Sequence, residues 1–226
     1  MVPEPRLRRG VGRRVVYPLA RSGSLEYDRV LFFTDAVFAI AITLLVVDLR
    51  VPAEGVFVDS GHVLREDLSS IIGFAISFSV IGVFWVGHHS IFRYITAFDR
   101  RLILINLFFL GIIAFLPFPT QLLSVTSTGQ TAAVIFYACC GGAAGLAEAA
   151  VWAYGTAPRH RLAPPISPGL RRYLLLRTLR LPVVFALSIP VAFPVPTVAT
   201  FMWLLIPLSG AVIDRAAPFE QAEEPA

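Results

Sequence analysis

Six apolar runs, each close to the length needed to cross a lipid hydrocarbon core, leave this chain few folds to choose from. They cover about 30–49, 69–95, 102–124, 131–154, 170–193 and 197–213, against the ~20 residues a transmembrane helix requires. Hydrocarbon offers no water to satisfy a free N–H or C=O, so such runs must close their backbone bonds within helices. The expected fold is therefore all-α: a polytopic membrane helix bundle with six transmembrane helices. Composition agrees, with 15% charged residues where a soluble domain carries about 25%.

The segments between the runs set an orientation. The stretch RLRRGVGRR near the start is basic, VPAEGVFVDSGHVLRED holds four acids and one arginine, and TAFDRR is basic again. Segment 155–172 carries Arg159, Arg161, Arg171 and Arg172. Arginine-rich flanks mark the cytoplasmic side, and their alternation places both termini there. Three regions follow: a basic cytoplasmic arm over 1–28, a six-span domain over 29–214, and a polar, disordered tail over 215–226. Glu26 and Asp28 follow the basic stretch and no small-residue cleavage pattern occurs, so the N-terminus does not read as a signal peptide. Beside six spans, the basic arm flanks a membrane and does not indicate a nucleic-acid partner. Cys139 and Cys140 are sequence neighbours, which suits neither a disulfide framework nor a metal site.

A charge inside hydrocarbon costs roughly 2.5–3.5 kcal/mol even on insertion scales, so intramembrane ionisable groups are the first functional candidates. Asp35 sits inside the first run, after Thr34 and six residues past Arg29. His88 and His89 lie near the end of the second run, and Glu148 follows the small-residue stretch CCGGAAGLA in the fourth. At about 100° per residue, Ala36, Ile40, Thr43, Leu44 and Val47 share one stripe of the first helix, and Asp35 points roughly 140° from Ile40. Either the stripe lines a pathway and Asp35 is scaffold, or the reverse. Adjacent histidines diverge on a helix, so at most one of His88 and His89 meets a given partner. Asn106 can hydrogen-bond between helices, and Pro117 and Pro119 should bend the third span. Arg177 and Arg180, in the fifth span, must snorkel to the interface or face protein.

Several classes are excluded by what is missing. No TVGYG-like segment is present to build a selectivity filter from carbonyls. No Walker motif, GxSxG or metal-spaced histidine pair occurs, so neither an enzyme nor a cofactor or metal is expected.

The segment RVLFFTD, followed by AVFAIAITLLVVDLRVP, resembles the Arg-x-x-x-Phe-Ser-Asp signature of bacterial relatives of transmembrane protein 175, the lysosomal potassium channel. Thr34 stands where that family has serine. The likeness extends to FWVGHHSIF in the second span and to Asn106 with FLPFPT in the third. It implies a potassium-preferring cation channel in the bacterial plasma membrane, formed by a homotetramer whose first helices surround the pore. It implies a constriction at Ile40, Leu44 and Val47, with Thr43 beside them, and potassium ions as the permeant partner. It also implies a structural network of Arg29, Phe33, Thr34, Asp35, His88, His89 and Asn106, in which Asp35 is held by His88 or His89 and Asn106. The alternative is a proton-coupled transporter or proton leak pathway that uses Asp35 and the second-span histidines.

Overall fold

The computed structural model describes residues 20–47, 60–125 and 130–216, with side chains at 60–69, 124–125 and 211–216 left aside. Most of the basic arm, most of the acidic segment after the first span and the tail beyond Ala216 lie outside the described residues. Five of the described helices have the length and hydropathy of membrane spans: α1 (Leu25–Val47), α2 (Ser60–Phe92), α3 continuing into α4 (Arg100–Phe115 and Pro117–Val125), α5 (Gln130–Gly155) and α6 (Pro168–Ala192). The sixth apolar run falls on two shorter helices, α7 (Pro196–Met202) and α8 (Leu205–Ala216), with a shorter apolar stretch over Pro196–Gly210.

Helix ends differ from the expected ones for local reasons. The first helix begins at Leu25, inside the segment assigned to the arm, because Ser24 caps it: its Oγ accepts from the Tyr27 N–H at 3.3 Å, and Glu26 and Asp28 favour its positive end. The second helix starts at Ser60, so the latter part of the acidic segment is helical and not loop. The third span is broken at Leu116. Pro117 has no N–H to continue the ladder, and the Leu116 N–H is shared between the carbonyls of Ile112 and Ile113. The expected single sixth span is likewise two helices. Around Trp203 the backbone tightens to three-residue bonds, Trp203 to Thr200 and Ile206 to Trp203, and Pro207 cannot donate to the Trp203 carbonyl.

A small antiparallel pair qualifies the all-α expectation. β1 (Ala20–Arg21) pairs with β2 (Ala97–Phe98), placing Ala20 opposite Phe98. The Thr96 and Ala97 N–H groups donate to the Leu162 carbonyl at 2.9 and 3.0 Å. Tyr27, buried in the first turns of α1, donates its hydroxyl to the Ile95 carbonyl at 2.5 Å. The lead-in to α1, the α2–α3 turn and the α5–α6 connection are thus locked at one end of the bundle. A compact apolar cluster including Phe92, Phe98, Leu102 and Trp152 fills the space beneath them.

The main core runs along the bundle through Phe38 and Leu45 of α1, Phe84 of α2, Phe109 of α3, Tyr137 of α5 and Phe185 of α6. Small residues on α5 let α6 approach closely: at Gly145 a side chain would run into the ring of Pro182. The fifth span therefore packs lengthwise on α5, and Pro182 is buried within that contact.

Candidate pore helix and the polar chain behind it

Alpha helix α1 has two unlike faces. Thr34, Phe38, Ala41 and Leu45, spaced four, three and four residues apart, are buried against the bundle. Phe38 meets Phe109 with ring centroids 5.9 Å apart, and Phe84 meets Phe109 edge-on at 6.1 Å. On the opposite side Ile40 is 59% exposed, Leu44 44% and Val47 75%. Thr43 is exposed between them and donates its hydroxyl to the Ile40 carbonyl at 2.9 Å. Phe33, 54% exposed, lies seven residues before Ile40, about 20° from it on the wheel, and so prolongs this stripe.

Behind the stripe, a hydrogen-bonded chain crosses three helices. Thr34 Oγ1 donates to the Val30 carbonyl at 2.9 Å. Its single proton spent, the hydroxyl can only accept from Asn106 Nδ2, at 3.1 Å. That sets the Asn106 amide with Oδ1 toward His88 Nε2, 2.8 Å away, which must then carry the proton. All three residues are buried. The His88 ring is held between aromatic faces, parallel to Phe109 at 5.4 Å and stacked on Phe92 at 4.3 Å. Thr34, which stands where the resembled signature has serine, keeps its hydroxyl in use.

Asp35 is not part of this chain. Thr34 and Asp35 diverge by about 100°, so when Thr34 faces Asn106 its neighbour turns to the edge of the helix. There Asp35 is exposed, and its Oδ1 accepts from Trp85 Nε1 at 3.0 Å. Trp85 in turn stacks on His89, centroids 5.7 Å apart and planes 30° apart. The expected holding of Asp35 by a histidine and Asn106 is replaced by a tryptophan, a partner that a search for intramembrane charges passes over because indole is neutral. Arg29 and Phe33 line a groove of about 170 Å³ between α1 and α3 whose lining includes Asn106, and His89 stays on the surface. The seven grouped residues are therefore divided among a buried chain (Thr34, Asn106, His88), an exposed pair on either side of Trp85 (Asp35, His89) and a groove (Arg29, Phe33).

Two further polar contacts tie helices together apart from the buried chain. Asp99 caps α3, accepting from the Leu102 N–H at 2.7 Å through Oδ1 and from the Tyr154 hydroxyl at 2.7 Å through Oδ2. Thr120 Oγ1, beside the break in the third span, lies 2.9 Å from Ser77 Oγ of α2. Glu148 lies apart, buried on α5 with its carboxylate against Gly87 of α2. Among the described residues, no group of three or more His, Cys, Asp or Glu side chains could hold a metal ion.

Comparison with known proteins places this geometry. Residues 29–117, which hold the stripe, the buried chain and the Asp35–Trp85 contact, match the family model described as "Endosomal/lysosomal potassium channel TMEM175". A potassium channel of Streptomyces collinus is 36% identical over 155 residues, covering 67% of this chain and 75% of its own length. A potassium channel of Chamaesiphon minutus is 41% identical over 101 residues, covering 44% of this chain and 50% of its own. The endosomal/lysosomal proton channel TMEM175 of Gallus gallus is 37% identical over 111 residues, but these are only 22% of that protein. The crystal structure of a lysosomal potassium-selective channel TMEM175 homolog from Chamaesiphon minutus superposes with a TM-score of 0.71 at 26% identity, over 84% of this chain and 98% of that one. An exposed apolar stripe on the first helix, a bundle of membrane-length helices and these likenesses lead to one assignment: the chain belongs to the TMEM175 family of multi-pass membrane channels and is not an enzyme.

Proposed function

We propose that the chain is one subunit of a potassium-preferring cation channel, in which the first helices of four copies surround a pore and ions move passively down their electrochemical gradient. The observation that carries this reading is the two-faced first helix. Its inner face is fully packed, while Ile40, Leu44 and Val47 point away from the subunit's own bundle. Rings of such side chains, one from each copy, form a constriction that gates by dewetting, and an ion passes by shedding part of its hydration. Thr43 supplies a hydroxyl oxygen at the same level. The buried chain of Thr34, Asn106 and His88 holds the pore helix against α2 and α3, and takes no part in permeation. Potassium enters this reading from the names of the Streptomyces and Chamaesiphon relatives. The membrane is the bacterial plasma membrane, with both termini in the cytoplasm.

A second reading has two observations behind it. The relative from Gallus gallus is named a proton channel, and Asp35 and His89 are both exposed around Trp85. In that case Asp35 would be the carrier group.

Cation flux into liposomes containing the purified chain separates the two. Passive flux along a potassium gradient, with an altered potassium-to-sodium ratio in Ile40→Asn, is the expected result. Flux that appears only with a proton gradient and is indifferent to Ile40→Asn would overturn the channel reading and return Asp35 to the centre.

A further inference from the structure

Between α3 and α5 the surface of the bundle holds an apolar groove of about 550 Å³. Ala143, Ala147 and Ala150 of α5 form its floor, and the exposed Leu104 and Phe108 of α3 and Leu146 of α5 form its walls. At 1.5 Å per residue the alanine row is about 10 Å long. One end of the groove is basic. Arg101 lies seven residues before Phe108, about 20° from it on the wheel, and is near enough to act electrostatically on the Tyr154 hydroxyl. Tyr154 continues the alanine row one turn beyond Ala150. Its ring stacks on His160 at 3.9 Å. His160 Nδ1 donates to the Tyr154 carbonyl at 2.9 Å, and its Nε2 accepts from Arg159 Nε at 3.0 Å. Arg100, Arg101 and Arg159 are all exposed. Among the described residues, the carboxylate of this cluster is Asp99, which is buried with one oxygen on the Leu102 N–H and the other on the Tyr154 hydroxyl. It is therefore turned inward, and the guanidiniums face out.

The order of these surfaces matches one kind of molecule. Guanidiniums come first, then a tyrosine of the kind that sits at headgroup level, then an apolar channel. An anionic head, a glycerol and an acyl chain follow the same order. Guanidinium forks suit phosphate oxygens, and Arg159, with its Nε–H given to His160, still has its terminal amino groups to donate. A zwitterionic head would set its own cation among the arginines. A head with no cation meets them without that repulsion, and basic residues beside a membrane favour anionic lipid for this reason.

We propose that this groove binds an anionic glycerophospholipid, with its phosphate on Arg101, Arg100 and Arg159 beside it, and one acyl chain along the alanines of α5 between Leu104, Phe108 and Leu146. The site is separate from the α1 stripe and does not depend on which ion the protein conducts.

An indole placed in the groove by Phe108→Trp reports the site, read as the fluorescence quenching this variant shows beyond that of the parent chain. The full chain is reconstituted in phosphatidylcholine vesicles with dibrominated phosphatidylglycerol, phosphatidylethanolamine or phosphatidylcholine as the guest. Phosphatidylglycerol should quench the added indole at about a fivefold lower guest fraction than either other lipid, a preference of about 1 kcal/mol. Equal quenching by all three would overturn a headgroup site, and a preference for phosphatidylethanolamine would overturn the anionic head. No quenching by any of them would mean that protein, such as a second copy of the chain, covers the groove, and the lipid would be ruled out. In the Phe108→Trp background, Arg101→Gln should bring phosphatidylglycerol down to the level of phosphatidylcholine, and an advantage that persists would sink the assignment. Should that variant fail to reconstitute, Ala150→Phe, which fills the groove and leaves the arginines in place, must reduce the same advantage or the proposal falls.

Discussion

At the scale of single residues, one hydroxyl proton orders the buried chain. Because the Thr34 proton goes to the Val30 carbonyl, each later donor in the chain has only one direction to point. Thr34→Ser preserves that proton and removes only a methyl from a buried site, so it should change stability by about 1 kcal/mol or less. Thr34→Val preserves the shape but leaves Asn106 Nδ2 without an acceptor, and should cost about 1–2 kcal/mol. Unfolding in mixed micelles with increasing SDS checks both, and equal losses from the two variants would contradict the hydrogen-bonded role. Much of this site was legible: the hydroxyl, the asparagine and one of two divergent histidines are polar groups in apolar helices, and each needs a partner. Which histidine turns inward, and what holds Asp35, were not. Both depend on the rotation of α2 about its axis, set by packing of Phe84 against Phe109, and no single side chain announces it.

At the scale of elements, hydropathy locates membrane helices well and locates their ends badly. The six apolar runs correspond to the helices observed, since lipid exposure and core burial both demand apolar side chains. The breaks at Leu116 and near Trp203 follow from prolines, but a proline can bend a helix or interrupt it, and the neighbours decide which. The β1–β2 pair was illegible because two residues per strand leave no alternation to read. Helix α3 shows how much an end depends on one side chain. Asp99 is 2% exposed and meets two donors, so Asp99→Ala removes a cap worth about 0.5–2 kcal/mol and strands the Tyr154 hydroxyl as well. The expected loss is about 2 kcal/mol, measured as a lowered midpoint in the same SDS titration. Asp99→Asn keeps an oxygen for the Leu102 N–H and should lose less than half as much. A full-sized loss from Asn would mean that charge, and not capping, is what α3 needs there.

For the molecule as a whole, coverage of the helices is uneven, and that unevenness bears on assembly. In the most apolar 18-residue window of each span, 56% of α5 is buried within the subunit but only 22% of α1. Lipid covers apolar side chains at no cost, so exposure alone does not distinguish a lipid-facing helix from one that faces copies of itself. The distinction lies in what α1 carries: Asp35 and Thr43 on its uncovered side are poor lipid contacts, since a charge in hydrocarbon faces protein or water. Helix α3 offers the contrast, with Leu104, Leu107 and Phe108 uncovered and no charged side chain among them. The proposed assembly then predicts which surface cysteines will join. In a background with Cys139 and Cys140 replaced by serine and alanine, Val47→Cys should oxidise to a disulfide-linked dimer in membranes, because equivalent α1 helices surround a common axis. Phe108→Cys, 66% exposed on α3, should stay monomeric under the same oxidant, and non-reducing gels read both. Cross-linking through Phe108 with none through Val47 would turn the subunit around, placing α3 at the axis and α1 against lipid. The stripe of Ile40, Leu44 and Val47 would then have no pore to line.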